Sequence, residues 1–520
     1  MARCEHREIV RPSNRRKKIS DVDREIGAIG GPLGYSGPSR RPEFFAQTQP
    51  ENAPMDSKIT RGTIAAYGAG GLLDHWGTQG IKATANQIIN IVLGVNPAVV
   101  GAVMAISGIW DAFADPLMGV LSDRATSSIG RRRPFMLAGA ALAALAFIPL
   151  WIIPQGMPPW KQGAWLASSA LIFYTAFTVY SVPYRALAYD LAIVPNDKTR
   201  LIGARTFFAT AGVFVVNWTF PISQSGALGS GIRSVRIIAL TFSSLCFLTA
   251  LIPGIVLREP AKPLAPASPH RTPTVIAGLK AVFRNERCVR VLSASLIGSF
   301  CSVVGTTFHS YVTIYYCYGG NARASAPMFA AYGLISGLLV LVATPLVVRF
   351  AARTTKRKAL CYCYLIGMIA AMLKWFLYSR SHPWLQLALI LLLMPSYLGI
   401  GILQESIVGD LSSEAERLSS LPAAGLYSSV YIWATKTGNA VAAAIGGLIL
   451  VGIGFDVALG SAQRPGAIVA MRLLLGLLPF LGFGVAWWII HRYKDPVAPD
   501  GSAPQPNELR EGGAAALSGI

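Results

Sequence analysis

Two aspartates stand four residues apart inside a long apolar run, in the stretch IWDAFADPLMGVLSDRATSSIGRRRPF at residues 109–135. At this spacing Asp111 and Asp115 lie on the same side of a helix. The flanking residues are apolar enough to cross a membrane, where a charged group is costly and is usually kept for function. The pair therefore marks a candidate functional site within the membrane.

The same stretch ends in a second group of charges, which follows the apolar run. We interpret this group as a conformational latch in a loop, because a loop position is less suited to contacting a substrate. The predicted gate consists of Asp123, Arg124, Arg131, Arg132 and Arg133.

Polar side chains also interrupt other apolar blocks. We expect Asp111 or Asp115 to be neutralised by Arg205 or Lys436, since isolated buried charges are unfavourable. The alternative is a purely structural ion pair that joins two parts of the protein. The further candidates for a substrate or ion site are Asp74, His75, Thr178, Ser181, Arg185 and Trp433.

Several of these candidates have a simpler structural explanation. His75 can be a hydrogen-bonded packing residue, and Trp433 can be an ordinary packing aromatic, because helix packing and sugar stacking both use such rings. Asp190 and Glu405 fall near the ends of apolar blocks, so we expect both to be solvated.

The composition indicates an integral membrane protein. Of 520 residues, 53% are hydrophobic and only 14% are charged, and the mean hydropathy is +0.47. The apolar residues form about twelve blocks, each of the length that crosses a bilayer core, and the tenth block covers about residues 384–408. The net charge of +21 does not indicate nucleic-acid binding, because Lys and Arg concentrate in a terminal tail and in alternate loops. That distribution follows the positive-inside rule and predicts cytoplasmic termini in a cytoplasmic (inner) membrane.

The blocks divide into two groups of six, which predicts an all-α fold with two pseudo-symmetric halves. Asp115-Pro116-Leu117 and Thr344-Pro345-Leu346 each precede a basic cluster and mark a weak internal repeat. The predicted segments are a basic tail at 1–58, an N-terminal half at 59–257, a linker at 258–288, a C-terminal half at 289–492 and a C-terminal tail at 493–520. We expect both tails to be disordered.

Enzymatic chemistry is not indicated by the sequence. It contains no nucleophile–base pair, no metal-ligand spacing and no glycine-rich phosphate loop. Its seven cysteines include no C-x-x-C motif and predict neither a disulfide framework nor a metal site. We expect no enzyme activity and no cofactor.

The string W-D-A-x-x-D-P-x-x-G-x-x-S-D-R…G-R-R-R-P resembles the second helix and following loop of the glycoside–pentoside–hexuronide:cation symporters, the melibiose permease group of the major facilitator superfamily. The resemblance continues in VPYRALAYDL (182–191), ARTFFATAG (204–212) and LYSSVYIWATKTGNAVAAAIGG (426–447). It covers about residues 59–492 and implies a major facilitator fold.

The resemblance implies roles for individual residues. Asp111 and Asp115 match the two carboxylates of the cation or proton site, of which the first lies close to bound sugar. Thr178 and Lys436 match residues of or near that site, and Arg205 matches an arginine that contacts sugar.

Other positions depart from the family pattern. A sodium-site asparagine is Ala114 here, and an aspartate that serves both sugar and cation is Ser181. A tryptophan that stacks on sugar is Arg185, and a lysine–aspartate pair falls on Asp74 and His75. Fewer oxygen ligands favour protons over sodium, because a proton needs only one titratable carboxylate.

We therefore predict a secondary transporter that functions as a monomer. It carries a sugar or glycoside together with H+ or Na+ by alternating access. One alternative keeps the fold and transports a lysolipid or another amphiphile. Another alternative is a membrane sensor that transports nothing. An apolar groove that opens sideways would favour the amphiphile, and clustered polar groups around a closed cavity would favour sugar.

Overall fold

The computed structural model describes residues 59–154, 156–191, 195–229, 231–259, 282–419 and 424–493. Within these ranges the chain is helical and forms no β-strand. The predicted N-terminal tail, linker residues 260–281 and all but the first residue of the predicted C-terminal tail lie outside the described residues.

Twelve helices, named α1–α12 here, organise the described part of the chain. They are α1 (residues 61–92), α2 (Pro97–Arg124), α3 (Arg133–Trp151), α4 (Pro159–Leu191), α5 (Pro195–Gln224), α6 (Ile232–Val256), α7 (Glu286–Tyr311), α8 (Ala322–Arg353), α9 (Lys356–Leu377), α10 (Ile390–Ser419), α11 (Ala424–Gly452) and α12 (Pro465–His491).

Helices α2–α12 are long and apolar enough to cross a membrane, so the described residues contain eleven such helices. Helix α1 is a twelfth long helix, interrupted by π-helical turns at Trp76–Gly80 and Ala85–Val92. A third π-helical turn, Val312–Cys317, continues α7. The predicted fold class, an all-α membrane protein with about twelve helices in two halves, is confirmed.

Local sequence signals set several helix boundaries. The Asn96 side chain accepts a hydrogen bond from the Ala98 N–H at the start of α2, and Thr355 caps α9 in the same way. Pro116 and Pro345 lie inside α2 and α8, the second helix of each half. The repeated Pro-Leu pairs therefore occupy corresponding helices.

One end of the bundle carries the basic clusters of both halves, and we call it the basic face. Its basic residues include Arg131–Arg133, Arg287, Arg353 and Lys356–Lys358. Helix α10 reaches this face because it runs to Ser419, well beyond the predicted end of its apolar block near residue 408. Its added turns are stabilised by ion pairs within the second half. Lys356 Nζ lies 2.6 Å from Asp410 Oδ2, and Arg287 Nη2 lies 2.8 Å from Glu414 Oε1.

Glu259 joins the end of α6 to the start of α3 at the basic face. Its carboxylate accepts hydrogen bonds from the backbone N–H groups of Arg131, Arg132 and Arg133 at 2.9, 2.6 and 2.9 Å. The first N–H groups of a helix have no partner within the helix, and the helix dipole favours a negative charge there. Glu259 therefore closes the N-terminus of α3.

Asp190 connects the same cluster to α4. Its Oδ2 lies 3.1 Å from Arg131 Nη2 and 3.2 Å from Arg132 Nε, and its side chain is 11% exposed. Our expectation that Asp190 is simply solvated is wrong, because two guanidinium groups from the loop cover it. Glu405, in contrast, is exposed.

Close packing of α3 on α4 depends on Gly139. A Cβ at this position would lie 2.5 Å from the Tyr180 backbone nitrogen, and backbone cannot give way as a flexible side chain can. Small residues at such crossings let membrane helices approach closely. Tyr180 itself is fully buried and stacks on Tyr184, so it is a packing residue.

Substituting Gly139→Ala is expected to force α3 away from α4 and to destabilise the protein by about 1–3 kcal/mol, the usual cost of overpacking. Thermal unfolding of the purified protein in detergent would measure this as a lower melting temperature. Gly203→Ala is the matched control, since its Cβ would meet no atom within 4 Å. Equal melting temperatures for the two variants would contradict this packing account.

Substituting Glu259→Ala is expected to lower the melting temperature, because three backbone donors at the start of α3 lose their charged acceptor. A hydrogen bond to a charged group contributes about 1.5–3 kcal/mol, and less where water reaches it. Glu405→Ala removes an exposed carboxylate and serves as the control. The assigned role of Glu259 is wrong if both variants melt at the wild-type temperature.

Candidate functional site

Lys436 of α11 binds both carboxylates of α2. Its Nζ lies 2.8 Å from Asp111 Oδ2 and 2.5 Å from Asp115 Oδ2. Both aspartates belong to the first half and Lys436 belongs to the second, so the predicted charge neutralisation also joins the two halves. One positive charge faces two negative charges, which leaves the trio with an excess negative charge.

Thr178 of α4 lies beside the other oxygens of the two acids. Its Oγ1 is 3.4 Å from Asp111 Oδ1 and 3.3 Å from Asp115 Oδ1. The Asp111 side chain is 8% exposed and the Asp115 side chain is 24% exposed. Asp115 is therefore the more accessible of the two carboxylates.

Close packing of α2 on α11 lets Lys436 reach the acids. A Cβ at Gly101 would lie 2.6 Å from the Ala443 carbonyl oxygen, and one at Gly108 would lie 2.8 Å from the Ala440 Cβ. Gly447 meets the backbone of Pro97 in the same way. Side chains at these positions would separate the helices, so the glycines position the ion pair as well as the fold.

A second ion pair lies between α1 and α4. Arg185 Nε donates to Asp74 Oδ1 at 2.8 Å. The stacked rings of Tyr67 and Tyr184, with centroids 4.8 Å apart, hold the two helices together nearby. The Tyr184 hydroxyl also donates to the Tyr67 carbonyl oxygen at 2.8 Å. Two predicted substrate residues are thus brought together within the first half.

The remaining predicted substrate residues are distributed around this pair and on α11. Arg205 is half-buried on α5, where its backbone approaches Gly71 of α1. The His75 ring packs near Gly212 of α5, and Ser181 is fully buried in α4. Trp433 is 48% exposed, so it is not a buried packing aromatic.

A polar cavity of about 390 Å3 lies between the two halves. Helices α1, α2 and α5 of the first half and α7, α8 and α11 of the second half contribute to its wall. Its polar and aromatic lining consists of Gln79, Lys82, Asn86, Gln87, Asn217, Thr306, Thr307, Phe329, His309, Ser310, Tyr332, Lys436 and Asn439. Among the described residues of the predicted site, Lys436 alone belongs to this lining.

Sequence reasoning did not assign the other cavity residues. A signal for α1 was present, since Gln79, Lys82 and Asn86 recur at helical spacing on one face. Lys82 acts electrostatically on Asp111 and Asp115, so it belongs to the same charged region. For His309 and Asn439 the sequence offers no comparable pattern.

The predicted gate residues form contacts within the first half. Asp123 Oδ1 accepts from Arg132 Nη2 at 3.0 Å, and Arg131 and Arg132 both bind Asp190. The Arg133 side chain donates from Nε to the Gly254 carbonyl oxygen at 2.8 Å. Arg124 is exposed at the end of α2.

Contacts between the halves occur at the end opposite the basic face. Gln87 Nε2 of α1 donates to Ser310 Oγ of α7 at 3.2 Å, and the Tyr311 hydroxyl donates to Asn90 Oδ1 at 2.8 Å. Gly333 of α8 packs on Asn217 of α5. The halves therefore close against each other at this end, beyond the ion pair.

The chemistry of the charged trio suits a cation site. Two carboxylates and a hydroxyl offer oxygen ligands to a proton or a sodium ion, provided that Lys436 releases them. Within the described ranges, no group of three or more His, Cys, Asp or Glu side chains is arranged to hold a metal ion.

Known proteins are similar to this chain over most of its length. The profile of the MFS/sugar transport protein family matches residues 85–494. The glucuronide carrier protein homolog of Escherichia coli K12 is 24% identical over 447 residues, which cover 84% of this chain and 93% of that protein. The isoprimeverose transporter of Lactiplantibacillus pentosus is 23% identical over 417 residues, which cover 78% and 83% of the two chains.

Two further similarities bear on the fold and on an alternative substrate. The crystal structure of a D-xylose–proton symporter superposes with a TM-score of 0.56 at 12% identity, covering 83% of this chain and 99% of that chain. The mouse sodium-dependent lysophosphatidylcholine symporter 1 is 25% identical over only 129 residues, 24% of each chain. The matched family, the long relatives and the fold together identify the chain as a multi-pass secondary transporter that belongs to the glycoside–pentoside–hexuronide symporter group of the major facilitator superfamily.

Proposed function

We propose that the protein couples the transport of a sugar or glycoside to a cation, with a proton favoured over sodium. The observation that carries this proposal is the bridge from Lys436 to Asp111 and Asp115, which lies beside a polar cavity between the halves. The cavity volume falls in the range of small-molecule sites, and its amides and hydroxyls suit sugar hydroxyl groups.

In this proposal the coupling cation competes with Lys436 for the two acids. A proton on Asp115 removes the excess negative charge and weakens the hold of the lysine. Because Lys436 lies on the second half and the acids lie on the first, cation binding then changes the energy of moving the halves. If the same conformation also binds sugar well, each ligand strengthens the binding of the other by one shared free energy.

The small number of oxygen ligands at the site favours a proton over sodium as the coupling ion. Lys436 already occupies an oxygen of each acid, and Ala114 provides no amide between them. The Thr178 hydroxyl adds one further oxygen beside the two acids. A sodium ion needs several such ligands at once, whereas a proton needs one accessible carboxylate.

We assign the other predicted residues to supporting roles. Arg205, Arg185, Asp74, His75, Ser181 and Trp433 would form the part of the substrate path nearer the basic face. Asp123, Arg124 and Arg131–Arg133 would brace closure there. By the positive-inside rule the basic face would be cytoplasmic, and we propose cytoplasmic termini in a cytoplasmic (inner) membrane.

A second candidate is transport of a lysolipid or similar amphiphile. It is favoured by a largely apolar groove of about 610 Å3 between the ends of α5 and α8. Trp218, Pro221 and Pro327 line this groove, and Arg323 adds a positive charge to it. Such a groove could hold an acyl chain with its headgroup near the arginine.

Proteoliposomes with an imposed pH gradient, or separately a sodium gradient, are expected to accumulate a labelled sugar from a panel under the pH gradient. Substituting Asp115→Asn should abolish uphill accumulation but keep downhill sugar exchange, because the coupling carboxylate is lost while the cavity remains. Glu405→Gln is the matched control and should accumulate sugar as the wild type does.

Undiminished uphill uptake by the Asp115→Asn variant would refute the coupling role. Accumulation driven by sodium alone would refute the choice of ion. If a labelled lysolipid is taken up and no sugar is, the second candidate replaces the first.

A further inference from the structure

His309 of α7 lines the polar cavity from the second half and is held there by a defined network. Its Nδ1 is 2.6 Å from the Tyr378 hydroxyl oxygen of the segment that follows α9. The Tyr332 and Phe329 rings of α8 contact the imidazole, with centroids 4.9 and 5.8 Å away. The ring is therefore fixed on three sides.

The second ring nitrogen of His309 remains available. Nδ1 is engaged by Tyr378, so Nε2 is the ring nitrogen left for a ligand in the cavity that His309 lines. The Tyr378 hydroxyl can donate to Nδ1 or accept from it, so Nε2 can serve a ligand as donor or as acceptor, according to the tautomer.

Asn439 of α11 provides a second unused group in the same wall. Its Oδ1 is buried and has no hydrogen-bond partner among the described residues. Leaving such an acceptor unpaired is unfavourable, and because Asn439 lines the cavity, rotation of its amide would let a bound hydroxyl group satisfy it. Asn439 follows Lys436 by one helical turn, so the cation site and this acceptor lie on one face of α11.

We propose that His309 is a substrate-specificity residue, which binds a hydroxyl group of the sugar through Nε2 while Tyr378 orients the ring. Asn439 accepts a second sugar hydroxyl, and Tyr332 with Phe329 supplies the apolar backing. The proposal rests on the proposed sugar transport and adds a subsite in the second half. It selects ligands that carry at least two hydroxyl groups in reach of this wall.

Two amide substitutions separate the two ring nitrogens. Asparagine at position 309 places its amide near the position of Nδ1 and keeps a partner for Tyr378. Glutamine places its amide near the position of Nε2 and keeps a partner for the substrate. A purely structural histidine would need the Nδ1 group, whereas a substrate-binding histidine needs the Nε2 group.

The experiment measures sugar exchange without an ion gradient in proteoliposomes, for the wild type, His309→Asn and His309→Gln, with melting temperatures measured in parallel. We expect His309→Asn to raise the KM for sugar about tenfold with little change in maximal rate, the size expected for one lost hydrogen bond. His309→Gln should stay within about threefold of the wild-type KM.

The opposite order, or equal KM values for the two variants, would overturn the role of Nε2 and leave the proposed function intact. A wild-type protein that exchanges none of the sugars would overturn the proposed function, and the subsite with it. Tyr378→Phe, which removes only the orienting hydroxyl, should raise the KM by less than His309→Asn does.

Discussion

The salt bridge from Lys436 to Asp111 and Asp115 is the interaction on which the rest of the structure depends. Three charges at the depth of the bilayer core are tolerated because they neutralise one another in part, and removing one member of such a group is strongly unfavourable. The glycines of α2 and the small residues of α11 serve this contact, since larger side chains would hold the lysine out of reach. The two halves are thus joined by a charged contact, which the coupling cation would open in the proposed mechanism.

Thr178 and the polar cavity both adjoin the charged groups of that salt bridge. Thr178 supports the acids, and the polar cavity begins at Lys436 and continues past Asn439 to His309. Helix α11 carries both Lys436 and the unpaired Asn439 amide. In the proposed mechanism, a shift of this helix would change the cation site and the substrate site together. At the basic face Arg131 binds Asp190 within the first half, and Arg287 and Lys356 bind acids of α10 within the second half.

The sequence predicted those residues of the candidate site whose spacing along one helix places them on a common face. Asp111 and Asp115 were found because four-residue spacing fixes their common face, and Lys436 was found because a buried cation must balance them. The sequence did not identify His309, Asn439 or Glu259, because their contacts and cavity positions form only where separate helices meet. Asp190 was misjudged for the same reason, since its two arginines belong to a loop nearly sixty residues earlier. The α10 boundary was placed early because apolarity alone ignores the ion pairs that extend it.

The competition between Lys436 and the coupling cation is the central claim, and a cation titration of Lys436→Gln tests it most directly. The measurement is the cation concentration that gives half-maximal sugar binding, in the variant and in the wild type. Without the resident positive charge the acids should bind the cation more tightly, so the half-maximal concentration should fall while net transport is lost. A rise in that concentration would contradict the account, because it would make Lys436 a support of the cation site and not its competitor.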